Sequence, residues 1–194
     1  MVPVRAFPQV QALPPSPTEH MSPATAVDNV RKQGPRNSAD LVHEVLASYA
    51  TNGLFRSFAR TQRQTRKSTF SVEWPFRKAQ TVRVDVDAGI ISFLDLLPGV
   101  PPKSPMQSAL RTFLSELHAK RRPAHRRIDS KKARVRCVRF GGNLSVVVTV
   151  MDCDYEYATT KLIQAVQEVH FGFLHDGPYY EYRVAELGLN PDGF

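Results

Sequence analysis

The chain has 194 residues, with 26 Lys and Arg against 18 Asp and Glu, and a formal net charge of +8. A hydrophobic share of 42% can bury a core, which excludes a wholly disordered chain. No apolar run approaches the roughly 20 residues that span a bilayer, and two cysteines, Cys137 and Cys153, exclude both a disulfide scaffold and a four-cysteine zinc site. The expected compartment is therefore the reducing cytoplasm, with no membrane partner. The opening MVPVRAFPQVQALPPSP has no continuous apolar stretch, so no secretory leader is expected.

The charge is uneven along the chain. Residues 1–149 hold 24 basic and 10 acidic side chains, a net of +14, and residues 150–194 hold 2 and 8, a net of −6. Each part attracts partners of a different sign.

Residues 1–37 contain seven prolines and no sustained period, and they read as a disordered tail before a single domain over 38–194. Leu41, Val42, Val45, Leu46 and Tyr49 place one apolar stripe on a helix from about Ala39 to Ala50, with Asn37 or Ser38 at its start and Asn52-Gly53 at its end. Residues 56–67 are basic and polar and read as a connector. Phe70, Val72 and Trp74 then alternate with polar residues as a strand ended by Pro75. Val82, Val84 and Val86 alternate as a second strand. A two-residue turn at Ala88-Gly89 predicts Val86 opposite Ile91 and Val84 opposite Phe93.

Ser104-Pro105-Met106-Gln107 has the pattern of a capping box, and Met106, Leu110, Phe113, Leu114 and Leu117 form the stripe of a helix that runs until Pro123. Gly141-Gly142 predicts a hairpin over Ala133–Met151 that pairs Cys137 with Val146, Val135 with Val148 and Ala133 with Val150. Its other face, with Arg134, Arg136, Ser145 and Thr149, is expected to be solvated. A third helix is expected from about Tyr155 to Phe173, capped by Asp152 or Asp154, and a short one from Gly177-Pro178 to Leu187.

The predicted fold class is α+β: an antiparallel sheet of about five strands packed by helices, in the order α-β-β-β-α-β-β-α. The Pro-rich exit from the third strand, the helix capped by Ser104, and the Ala133–Met151 hairpin feeding an Asp-capped helix resemble the type III secretion chaperone-like fold over roughly residues 38–175. They resemble most its stand-alone bacterial members, described as sensory transduction regulators. The resemblance implies a homodimer that binds other proteins rather than a catalyst. It carries over no functional residue, and both the basic charge and the Pro-rich tail depart from the fold's usual pattern.

The sharpest candidate site is the run from Lys120 to Arg139, which holds ten basic residues and one acid, Asp129. Lys120, Arg121, Arg122, Arg126, Arg127, Lys131, Lys132, Arg134 and Arg136 read as a surface for nucleic acid or another polyanion. The competing reading is a solvated loop, or one paired with the acidic C-terminal quarter. Arg56, Arg60, Arg63, Arg66 and Lys67 form a second basic cluster, which strengthens the polyanion reading only if it shares a face with the first. Tyr179, Tyr180 and Tyr182 are candidate interface anchors or packing residues.

The remaining residues point away from chemistry. Cys153 reads as part of a helix cap and Cys137 as a small core hydrophobe. His118, His125, His170 and His175 lack ligand spacing. Asp85 and Asp87 read as cross-strand ion-pair partners. No metal, cofactor or catalytic residue is assigned. The leading expectation is a non-enzymatic protein-binding, chaperone-like or adaptor module, and the alternative is polyanion binding through the 120–139 run.

Overall fold

The computed structural model describes residues 38–64, 66–74, 79–175, 177 and 179. The tail over 1–37, the helix expected up to Leu187, and Tyr180 and Tyr182 lie outside the described residues. Helix α1 spans Ser38–Thr51. Four strands follow: β1 (Ser57–Arg63), β2 (Lys67–Glu73), β3 (Gln80–Asp85) and β4 (Ile90–Leu97). Next come helix α2 (Pro105–Glu116), strands β5 (Ala133–Phe140) and β6 (Asn143–Val150), and helix α3 (Tyr155–Val169), which runs on into a π-helical turn at His170–His175. The strands make one antiparallel sheet in the order β1-β2-β3-β4-β6-β5. The fold is α+β, with six strands rather than five.

The additional strand is β1, in the segment read as a connector. It looks polar because one side is all polar or small and Arg60 shares the core-facing side with Phe58. That guanidinium is neutralised from α1, donating to Asp40 Oδ1 at 2.6 Å, and it also donates to Ser68 Oγ at 2.8 Å and lies 5.4 Å from the centre of the Phe70 ring.

The β5–β6 hairpin has the predicted register, with Cys137 opposite Val146, Val135 opposite Val148 and Ala133 opposite Val150. Gly141 (φ 52°) and Gly142 (φ 91°) supply the two positive φ angles that such a turn requires. The β3–β4 register differs from expectation: Val84 faces Ile91 and Val82 faces Phe93. Here the turn takes four residues. Asp85 Oδ1 accepts the Ala88 N–H at 3.1 Å, while Val86 is held by Arg66 O at 2.8 Å and the Tyr155 hydroxyl at 3.1 Å. A shift of two leaves every side chain on its predicted face.

Ser104 caps α2 by accepting the Gln107 N–H at 3.2 Å, and Gln107 Oε1 reaches back to the Lys103 N–H at 3.0 Å. The helix ends at Glu116, with Leu117 at its C-cap, well before Pro123. α3 packs across β4, β6 and β5, α2 against β5, and α1 against β1 and α3. Between helices and sheet lie fully buried Phe70, Phe93, Ile91, Leu46, Leu110 and Leu162, each worth about 1.5–3 kcal/mol of burial.

The face that none of the described helices covers (the helix-free face) is only partly solvated. Ser145, predicted to be exposed, is fully buried, and Ser92, Leu94 and Val147 are buried beside it. Arg83 and Phe140 stand exposed on the same face. Their strands are separated by β4 and β6, yet the guanidinium carbon lies 5.6 Å from the ring centre.

Candidate functional site

The basic loop is folded down onto α3. Ile128 is buried, and its N–H donates to Leu117 O at 2.9 Å. The Asp129 N–H donates to the Tyr157 hydroxyl at 2.8 Å, and Lys161 Nζ donates to His125 O at 2.7 Å. Lys161 is nearly enclosed, and that burial pushes its amine below the ordinary lysine range. His118 joins the loop to the sheet edge. Its Nδ1 lies 3.1 Å from Ile128 O, and its Nε2 accepts the Val135 N–H at 3.3 Å. That N–H points away from β6, so the imidazole covers part of the open edge of β5.

Several predicted site residues turn out to be ion-paired. Arg122 and Arg126 share the Glu168 carboxylate, Arg126 at 3.4 Å. Arg121 pairs with Glu116, and Lys132 Nζ meets Asp154 Oδ2 at 3.1 Å, which holds the Lys132 ammonium above its ordinary range. Glu168 and Asp154 belong to the acidic C-terminal quarter, so part of the charge split is cancelled within one chain. Lys120, Arg127, Lys131, Arg134 and Arg136 form no ion pair among the described residues. Arg134 and Arg136 sit not in the loop but on the helix-free face of β5.

The second basic cluster lies on β1 and the start of β2, at the opposite edge of the sheet. Arg60 and Arg63 are bound to Asp40, Arg66 to Asp87 at 2.5 Å, and Lys67 to Asp85 at 3.2 Å. The structure therefore does not bring the two clusters together. Asp85 and Asp87 are ion-pair partners, and Cys137 is buried, its thiol pushed up by desolvation. Cys153 is exposed at φ 62°, one residue before the α3 cap, Asp154. Tyr179 packs against the core.

A cleft of about 580 Å³ opens where α2, the basic loop and the end of α3 meet. Phe113 and Phe171 form its apolar walls, Gln164 and Gln167 supply amides, and Arg126 and Glu168 also line it. The π-helical turn shapes it: Phe173 is buried 5.5 Å from Phe113, whereas Phe171 is turned out to 61% exposure. Gly172 lies against the Phe113 ring, where a Cβ would make ordinary van der Waals contact at 3.5 Å. Apolar spacing had pointed to this helix but not to the cleft. The only usable signal was the Phe171-Gly172-Phe173 triplet at its end.

Among the described residues, no three of His, Cys, Asp and Glu form a metal-binding group, and no helix is long and apolar enough to cross a membrane. Comparison with protein-family models, with curated proteins and with solved structures returns no match.

Proposed function

We propose that this chain is a non-enzymatic protein-binding module of chaperone or adaptor type, and that it takes a partner segment in the cleft between α2 and the end of α3. The observation that carries the reading is Phe171, a large apolar side chain 61% exposed on the rim of a concave site whose other wall is Phe113. Exposed aromatic residues beside a pocket are the usual anchors of protein recognition. Glu168, in the lining, is shared by Arg126, also in the lining, and by Arg122 behind it, an excess of positive charge that favours a segment with an apolar anchor and acidic flanks. The resemblance to the type III secretion chaperone-like fold supports the same function and adds a cytoplasmic homodimer.

A random peptide library displayed on phage, selected against the full chain, tests the cleft. The expected outcome is enrichment of sequences with an apolar anchor and flanking acids that lose binding to Phe171→Asp. No enrichment, or equal binding to that variant, overturns the reading. Light scattering behind size exclusion tests the dimer separately, and a strict monomer removes it.

A further inference from the structure

We propose a second binding site, for single-stranded nucleic acid, on the helix-free face of the sheet around Arg83, Arg134, Arg136 and Phe140. Strand order creates this site. Arg83 is paired with Ser92, Ser92 with Val147, and Val147 with Arg136, so Arg83 and Arg136 stand in one row across β3-β4-β6-β5. At about 4.8 Å per strand their backbones are roughly 14 Å apart, and Arg134 lies about 7 Å further along β5. All three side chains are exposed, and none forms an ion pair among the described residues. Two acids border this face: Asp85 is held by Lys67 at 3.2 Å, its carboxyl lowered first by the Ala88 N–H, and Asp95, near Phe140, accepts from Asn143 Nδ2 at 3.0 Å.

Phe140 completes the site. It is 51% exposed and carries Arg83 over its ring, with Arg136 about 14 Å and Arg134 about 20 Å back along β5, so one exposed face holds an aromatic surface and three guanidiniums in line. Unpaired bases stack on such a ring while cations track the phosphates; a duplex hides its base faces and gains only the charge. A second copy of this chain is a poor occupant, because two-fold stacking of the face would bring like charges together.

Fluorescence anisotropy of the full chain with a labelled oligothymidylate of about 16 nucleotides tests the site. Neutralising three phosphates predicts a log–log salt slope near −2, or about a 20-fold loss of affinity from about 50 to 200 mM salt. Arg134→Ala with Arg136→Ala should flatten that slope to about −0.7. Phe140→Ala should weaken binding about tenfold at an unchanged slope, a signature of stacking rather than charge. Arg121→Ala with Arg127→Ala, in the loop, should leave binding intact. The proposal is overturned if nothing binds at low salt, or if the loop variant loses binding while the sheet variants keep it. It is also overturned if duplex or polyglutamate binds as tightly with no dependence on Phe140, which would assign the face to charge alone or to an acidic protein. Circular dichroism establishes that the variants are folded.

Discussion

Glu168 is where the loop, the cleft and the charge balance meet, so Arg122 and Glu168 are the residues to perturb. Both are largely enclosed, with side chains 20% and 18% exposed. A hydrogen bond to a charged group at such a site contributes about 1.5–3 kcal/mol net. Arg126 is 57% exposed and adds less than about 1 kcal/mol. Glu168→Gln and Arg122→Gln should therefore each cost about 2 kcal/mol, and the double variant little more than either alone. The coupling is then also about 2 kcal/mol, and each single change should lower the melting temperature by about 4–8 °C.

Urea unfolding followed by the single tryptophan measures this globally. Trp74 lies just beyond β2, edge-on to Phe55 at 5.3 Å, in the half of the sheet away from the loop. Amide exchange at Arg126 and Arg127, which both donate to Pro123 O, reports the loop locally. A coupling below about 0.5 kcal/mol would refute the claim that Glu168 holds the loop, because changes at independent sites add within that margin.

Three further outcomes follow from the same contacts. His118→Ala should leave the Val135 N–H without its acceptor, costing about 1–2 kcal/mol and accelerating exchange at that amide, with increased self-association by sedimentation as the edge opens. Phe93→Ala should cost about 3–5 kcal/mol, and Phe140→Ala within about 0.5 kcal/mol, because one side chain is fully buried and the other stands on the open face; urea midpoints separate them. The Arg60 hydrogen bond holds the Asp40 carboxyl below its ordinary range, outweighing desolvation, which acts the other way. A carboxylate lowered on folding stabilises above its unfolded pKa of about 4, and that contribution is lost as pH falls through the lower folded value. Asp40→Asn should therefore destabilise at neutral pH, and its difference from wild type should shrink in urea titrations carried from about pH 5 toward pH 2.

What could be read from sequence was what neighbours along the chain decide. The Gly141-Gly142 turn specifies the whole β5–β6 register, because two positive φ angles admit few alternatives. The Ser104 cap is likewise local. The β3–β4 register escaped because Arg66 and Tyr155, from other elements, hold Val86 and widen the turn. β1 escaped because its core-facing arginine makes sense only with Asp40, 20 residues earlier. The candidate site was legible as a density of charge but not as a geometry. Arg122 meets Glu168 across 46 residues, and nothing local announces that β6 will insert between β4 and β5 and set Arg83 in the same row as Arg136.

The ion pairs change what the basic run means. Glu168 and Asp154 both come from α3 and its cap, and together they neutralise or share Arg122, Arg126 and Lys132. Those cations therefore act first as staples, each tied to a partner it must leave before it can meet an external anion. Arg134 and Arg136 have no such partner among the described residues, and strand geometry sets their spacing. An incoming phosphate would displace an existing bond at Arg122, Arg126 or Lys132 but only water at Arg134 and Arg136. Competition of this kind should weaken polyanion binding at Arg122, Arg126 and Lys132 relative to Arg134 and Arg136, and leaves Lys120, Arg127 and Lys131 as the loop's available cations. Glu168→Gln then offers a direct comparison: it frees two guanidiniums, so any polyanion affinity it adds belongs to the loop and not to the sheet.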